Sequence, residues 1–530
     1  MSDHSLRLSR RTVMGALAGL PVLQPGTGHA AEPRRGGTLN VLLNWEPPAL
    51  LSFTSTSSLP LSAKVTEGLL EYDNDMVPRA QLATEWAVAP DGLTYTFKLR
   101  EGVKWHDGHD FTSADVAYSI MTLKAVHPRG RSTFSQVTEA ATPDAHTVVL
   151  KLAKPTPYLL RALQAAESPI VPKHLYDGTD PFTNPHNSAP IGTGPFKFKE
   201  WVRGSHMIYE RNEAYWDEPR PYLDRIIAKY YPDMASRSVA FETKSCDIGY
   251  RTPVVLNDVA RLQRLDFLGF ERKGYAYSPP NILCVDFNLS NEALAKFPVR
   301  QALAHAVDRT VIARTVFYGL ATPCASPVVP GLAAFHDPTP SPYGFDVRKA
   351  EALLEEAGYP RGADRIRLRL RLDYPGEENR RLADYLRAAF SRIGVALETR
   401  SNDFGAHVKR VYTDRDFDMQ IASMSNLFDP CVGVQRCYWS KNIVRGVPFS
   451  NPSGYSNPEA DALMEASMTE LDQAKRIDMW KQVQRMVIRD IPTLNLVSPN
   501  WMTIHQKNVE GHSVSADGFE GTFAHAYLDA

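Results

Sequence analysis

The sequence predicts an α/β fold divided among more than one globular domain, and three observations point there. The chain has 530 residues, whereas single hydrophobic cores stop growing at about 250–300 residues. Period-two strand patterns are interleaved with capped, helix-like segments along the whole length, without an internal repeat or low-complexity tract. The 39 prolines and 32 glycines supply the many turns such an alternation needs.

Residues 1–30 read as an export signal. Ser9-Arg10-Arg11-Thr12 places two arginines before a short apolar run, Val13 to Leu23, and a small-residue site follows at Gly28-His29-Ala30. The run is too short to cross a bilayer, which takes about 20 residues. The paired arginines resemble the twin-arginine type of signal. No cysteine precedes Cys246, so the usual lipoprotein attachment point is missing. The expected location is periplasmic, without a lipid anchor.

From there the elements follow in order. Gly37 to Leu43 reads as a strand, followed by a hydroxyl-rich loop (Thr54, Thr56, Ser57) and an apolar helix near Leu61 to Leu70. Asp91-Gly92 opens the clearest local pattern: Thr94 to Arg100 alternates at every position, Glu101-Gly102 turns, and Asp107-Gly108 turns again. Thr112 with Asp115 forms a capping-box pattern ahead of a helix carrying Val116, Ile120 and Leu123. Further strands are expected at Thr147–Leu152, Leu223–Tyr230, Cys284–Asn288 and Ile366–Leu372. Helices are expected from Pro298, from Asp346 to Ala357 with Gly358 as the stop, from Arg380 to Ile393, and after Asn457-Pro458. The last of these carries Ile477, Trp480, Val483 and Val487 on one face.

Composition and motifs exclude several functions. A formal net charge of −1, with Lys and Arg dispersed, offers no nucleic-acid-binding stripe. There is no nucleophile elbow, phosphate loop or His-Glu-x-x-His, and Gly192-Thr193-Gly194-Pro195 reads as a turn. The densest set of metal-binding side chains is His106-Asp107-Gly108-His109-Asp110. Adjacent residues in a tight turn cannot all point at one ion, so no metal site, cofactor or catalytic residue is assigned. A metal-dependent hydrolase built on His106 and His109 is the remote alternative. Among the five cysteines, Cys431 and Cys437 are close enough in sequence to be a disulfide candidate in an oxidising compartment, and two unlinked thiols are the other reading.

The stretch from Asp91 to Gly108, with Phe111-Thr112-Ser113-Ala114-Asp115-Val116, resembles the signature of bacterial extracellular solute-binding proteins of family 5, the dipeptide, oligopeptide and nickel receptors. Glu67-Gly68-Leu69-Leu70, Gly192 to Phe196, Glu210-Arg211-Asn212, Val299 to Leu303 and Ala357 to Pro360 agree with it in the same order. The resemblance implies a two-lobed periplasmic binding-protein fold with an extra inserted domain, closing about a hinge. It implies domain I at 37–66, 186–279 and 498–530, domain II at 67–185, and domain III at 280–497. It further implies a monomer that captures a small peptide or peptide-like solute and passes it to an ABC transporter permease in the inner membrane.

The resemblance also suggests where the ligand sits. Peptide receptors of this family hold the ligand's ammonium group on an aspartate three residues before an acidic-Pro pair. Here Asp429-Pro430 is present but the anchor position is Asn426. A neutral amide does not compensate a buried ammonium, and hydrogen bonds to charged groups contribute roughly 1.5–3 kcal/mol against about 1 for neutral ones. An opine, an oligosaccharide or a metal chelate is therefore the alternative ligand, as is a solute whose ammonium finds another carboxylate. By position, Thr54, Thr56, Ser57, Tyr277 and Phe428 complete the candidate site.

Overall fold

The computed structural model describes residues 33–529, so the expected signal at 1–30 lies outside the described residues. Three larger sheets organise the chain. A seven-stranded sheet has the order Leu268–Glu271, Thr503–Gln506, Ile248–Gly249, Thr38–Leu43, Arg225–Tyr230, His206–Arg211 and Phe196–Val202. Thr38–Leu43 pairs in parallel with Arg225–Tyr230, so sequence-distant segments form the centre of this sheet.

The chain leaves this sheet after Leu43 and builds an antiparallel four-stranded sheet from Ala83–Val88, Thr94–Leu99, Thr147–Leu152 and Val137–Asp144. The expected alternation of Thr94–Leu99 is real: Tyr95, Phe97 and Leu99 are buried, while Thr94, Thr96 and Lys98 lie towards solvent. The Asp115 carboxylate accepts from the Thr112 N–H at 2.9 Å, closing the expected capping box on helix Ser113–Val126. The chain then returns to the first sheet at Phe196.

A second excursion, after Glu271, forms a six-stranded mixed sheet ordered Ala321–Pro323, Thr493–Pro499, Ile282–Phe287, Met419–Met424, Leu368–Pro375 and Val395–Asn402. Capping decides its helices. Asp346 accepts from the Lys349 N–H at 3.0 Å to start Val347–Glu356, and Asn457 accepts from Glu459 and Ala460 to start Pro458–Ser467. The chain rejoins the first sheet at Thr503. Crossings at residues 272–281 and 500–502 therefore connect the two large sheets.

The helix expected near Leu61–Leu70 is shorter, running Leu59–Val65, and Leu70 already belongs to strand Leu70–Tyr72. Tertiary packing ends it. A Cβ on Gly192 would lie 1.9 Å from the Val65 carbonyl oxygen, so the 192–194 turn is seated directly against the end of the helix. Among the described residues no helix is long and apolar enough to cross a membrane.

Candidate functional site

The core of the four-stranded sheet does not end at that sheet. Leu51 and Phe53 of the hydroxyl-rich loop, Tyr277 of the first crossing, and Leu427, Phe428 and Val432 of the six-stranded half join the same buried cluster. This cluster is where the parts of the molecule meet. The Tyr277 ring lies 4.8 Å from Phe428, and its hydroxyl donates to the Arg161 carbonyl at 2.8 Å. Its N–H reaches the Ala516 carbonyl at 3.2 Å. Two positions chosen from sequence are thus in contact, each buried, across the junction.

Asn426 and Asp429 lie on the same loop, and their polar atoms are engaged within their own half. Asn426 is fully buried. Its Oδ1 accepts from the Val329 N–H at 2.7 Å, and its Nδ2 donates to the Pro327 carbonyl at 3.2 Å. The amide clips residues 327–329 to the loop. Gly433 packs so closely that a Cβ there would be 2.1 Å from the Asn426 carbonyl oxygen. Asp429 caps the short helix Pro430–Gly433 by accepting from the Cys431 N–H at 3.0 Å. It also receives Arg476 Nη2 at 2.9 and 3.0 Å on its two oxygens, and both side chains are buried. Burial alone would lower the Arg476 pKa; Asp429 and Cys431 outweigh it, and the net shift is upward.

Arg476 escaped the sequence reading although a signal existed. It precedes Trp480, Val483 and Val487 at helical spacing, so a charged residue occupies the helix's buried stripe. A buried arginine at such a position requires an acid from elsewhere in the chain.

A second group of buried polar residues lies near Tyr277. Glu167 is fully buried; its Oε2 receives Arg129 Nε at 2.7 Å, but its Oε1 has no hydrogen-bond partner among the described residues. Asp517 Oδ1 is likewise without a hydrogen-bond partner among the described residues. Glu520 Oε1 is in an ion pair with Arg251 at 3.5 Å, and the carboxylate neighbours the Tyr250 hydroxyl. Burial, then the neighbouring Glu520 and Glu71, hold the Asp517 carboxyl well above the usual range. Burial, then Glu167 and Asp517, push the Tyr277 hydroxyl up as well, so these carboxylates are electrostatic neighbours of the junction. No motif announces these residues; they come from separate segments.

The remaining sequence-selected residues are placed as follows. Thr54 and Thr56 are half-buried on the loop leading into the Thr56–Ser58 turn, to which the Ser57 backbone belongs. Their neighbours are already committed: Ser58 Oγ donates to the Ala49 carbonyl at 2.7 Å, and Ser52 Oγ to Ser62 Oγ at 3.0 Å. The Cys431–Cys437 disulfide is not formed. The two cysteines sit on successive short helices, Pro430–Gly433 and Gln435–Tyr438, and Cys431 Sγ is directed to Ser467 and Arg476 at 3.4 and 3.3 Å. Burial pushes both thiols up to about 11, which keeps them protonated. His106 turns inward, its Nε2 donating to the Gly194 carbonyl at 2.9 Å, and burial pushes its pKa down to about 4. It therefore does not face His109.

A separate cavity of about 380 Å³ lies between the seven- and six-stranded sheets, lined by Asn44, Arg237, Thr252, Leu283, Phe317 and Trp501 among others. None of the sequence-selected residues lines it.

Comparison with known proteins agrees with this architecture. Residues 77–442 match the family model for "Bacterial extracellular solute-binding proteins, family 5 Middle". The chain is 26% identical to the dipeptide-binding protein of Escherichia coli K12 over 486 residues, covering 87% of this chain and 88% of that protein. It is also 26% identical to heme-binding protein A of Haemophilus influenzae, covering 92% and 90%. Among solved structures, NikZ of Campylobacter jejuni in complex with Ni(L-His) superposes with a TM-score of 0.80 at 23% identity, over 92% of this chain and 99% of that one. AgaA of A. tumefacien R10 in complex with agropinic acid does so with a TM-score of 0.76 at 26% identity, over 93% and 99%. The match spans more than half of the chain and the folds coincide over nearly all of it: this protein belongs to the bacterial extracellular solute-binding proteins of family 5.

Proposed function

We propose that the chain is the periplasmic receptor of an ABC importer, enclosing a small peptide or peptide-like solute between two lobes and delivering it to an inner-membrane permease. It acts as a monomer, without catalysis, and reaches the periplasm by a twin-arginine signal. The three-part division at 37–66, 67–185, 186–279, 280–497 and 498–530 goes with this reading, and the separation of the sheets supports it.

The observation that supports the proposal is the junction at Tyr277 and Phe428, with buried Glu167 and Asp517 nearby each keeping one oxygen without a hydrogen bond among the described residues. Buried polar atoms are almost always hydrogen-bonded, and exceptions ask for a partner. Because Asn426 and Asp429 are engaged internally, a ligand ammonium would be received by Glu167, Asp517 or Glu520. A non-peptide solute such as an opine, an oligosaccharide or a metal chelate is the second reading, favoured by the amide at position 426. Closure then follows from differential affinity, the ligand binding the closed form better than the open one.

A thermal-shift screen tests this with di- and tripeptides, opines, oligosaccharides and nickel–histidine complexes. A true ligand at about 100 times its dissociation constant stabilises the protein by roughly 2.7 kcal/mol. The expected hits carry a cationic nitrogen. A response confined to uncharged oligosaccharides overturns the peptide-like reading and leaves the receptor intact.

A further inference from the structure

The turn at residues 106–110 holds four side chains able to bind a metal, and the structure sorts them. His106 turns inward to Gly194, and Asp110 pairs with Lys104 at 2.5 Å. Asp107 and His109 are left facing outward, and a third group joins them from 65 residues further on: His174, on the short helix Lys173–Tyr176. His174 Nε2 is 2.7 Å from Asp107 Oδ2, and His109 Nδ1 is 3.2 Å from Asp107 Oδ1. One ligand atom from each of the three residues lies within 4.8 Å of the other two. The two imidazole rings approach to 4.2 Å between centroids.

These separations suit a shared ion. Around a tetrahedral ion with bonds of about 2.0–2.1 Å, neighbouring ligand atoms are roughly 3.3–3.4 Å apart. The two spacings to Asp107, a hydrogen bond of 2.7 Å to His174 and 3.2 Å to His109, lie near that value. The supports are also fixed. The Trp105 N–H donates to the His109 carbonyl at 2.9 Å and the Gly108 N–H to the Trp105 carbonyl at 2.8 Å, closing the turn. The Lys173 N–H donates to Asp115 Oδ1 at 2.8 Å, tying the helix of His174 to the cap of Ser113–Val126. Side-chain exposures of 26% for Asp107, 65% for His109 and 31% for His174 leave further coordination positions open to water. Two imidazoles and one carboxylate suit Zn²⁺, Ni²⁺ or Cu²⁺, whereas Mg²⁺ and Ca²⁺ prefer all-oxygen sets.

We propose that Asp107, His109 and His174 bind one divalent transition-metal ion, Zn²⁺ being the reference case, at a surface site separate from the Tyr277–Phe428 junction. Bridging the turn to the helix, the ion would fasten two segments of the four-stranded half. The proposal does not depend on which solute the receptor carries.

Equilibrium dialysis of tag-free protein against Zn²⁺, with metal quantified by atomic spectroscopy, provides the test. Wild type, His174→Ala and the double variant His109→Ala/His174→Ala are compared. Wild type is expected to take up about one Zn²⁺ per chain, retained against excess Mg²⁺. The single variant should bind at least tenfold more weakly, and the double variant should lose this site. Subtracting the double variant also removes any contribution from His505 and His512, whose rings lie 4.3 Å apart. Thermal unfolding in EDTA, recorded for all three, separates any loss of folding through the His174–Asp107 hydrogen bond from loss of metal. Equal uptake by wild type and double variant, or displacement of the ion by Mg²⁺, overturns the proposal.

Discussion

The two groups of buried polar residues beside the Tyr277–Phe428 contact are satisfied to different degrees. On the loop of the six-stranded half, Asn426 is satisfied by two backbone groups and Asp429 by Arg476 and a helix N-terminus. In the second group, Glu167, Asp517 and Glu520 each keep an oxygen without a hydrogen-bond donor among the described residues. The first group has used its polar atoms to build the loop; in the second, Glu167 pairs with Arg129 and Glu520 with Arg251, and single oxygens remain without a hydrogen bond. Polar residues near a cleft are therefore poor guides to ligand contact until their internal partners are counted.

The largest effect should come from breaking the satisfied group. Arg476→Met leaves Asp429 buried without its counter-charge, and urea unfolding should show a loss of about 3–5 kcal/mol. The double variant Asp429→Asn/Arg476→Met should recover much of that loss. A single-variant cost below about 1 kcal/mol would mean that the pair does not hold the loop.

The second group should respond with the opposite sign. Asp517→Asn removes a buried carboxyl that has one oxygen without a hydrogen bond and only the charge of Lys64 to offset its burial, so stability should hold or rise. Affinity for a cationic ligand should fall by about tenfold to a hundredfold, within the roughly 1.5–3 kcal/mol of a charged hydrogen bond. Titration calorimetry on the best screening hit reads this, and unchanged affinity removes Asp517 from the site. The pH dependence has a defined direction. Burial raises the folded-state pKa of Asp517 above its ordinary value of 3.8, so the folded state holds a proton that the unfolded state has released. Stability then falls as pH rises above that value, and Asp517→Asn should flatten the fall.

Asn426→Asp sharpens the comparison further. A carboxylate there faces the Pro327 carbonyl that the amide now serves, which should cost about 1–3 kcal/mol of stability without tightening free-amine peptides. Markedly tighter dipeptide binding by this variant would return the ammonium anchor to the loop. The smallest expected change is Tyr277→Phe: it removes the hydrogen bond to Arg161 at a cost of about 1 kcal/mol and keeps the contact with Phe428.

Much of the scaffold was legible because its causes are local. Strands Thr94–Leu99 and Thr147–Leu152 and the caps at Thr112, Asp346 and Asn457 follow from spacing among near neighbours. The helix ending at Val65 was overestimated because its stop is imposed by Gly192 and Gly194 from a distant turn. At the proposed site, the mutual contact of Tyr277 and Phe428 was not visible in sequence, and Glu167, Asp517 and Glu520 carry no pattern of their own. The placement of His174 beside Asp107 and His109 was likewise not legible, since it comes from a helix that spacing does not connect to the turn.

By itself, then, the sequence determined the α/β class, the order of strands and capped helices, and the resemblance to a receptor family, because period, turn chemistry and capping act over a few residues. Only the tertiary structure decided which buried polar groups are already paired. Asp429 meets Arg476 across 47 residues, Asn426 meets Val329 across 97, and Glu167 meets Arg129 across 38. A charge's partner depends on distance in space, and folding sets that distance independently of separation along the chain.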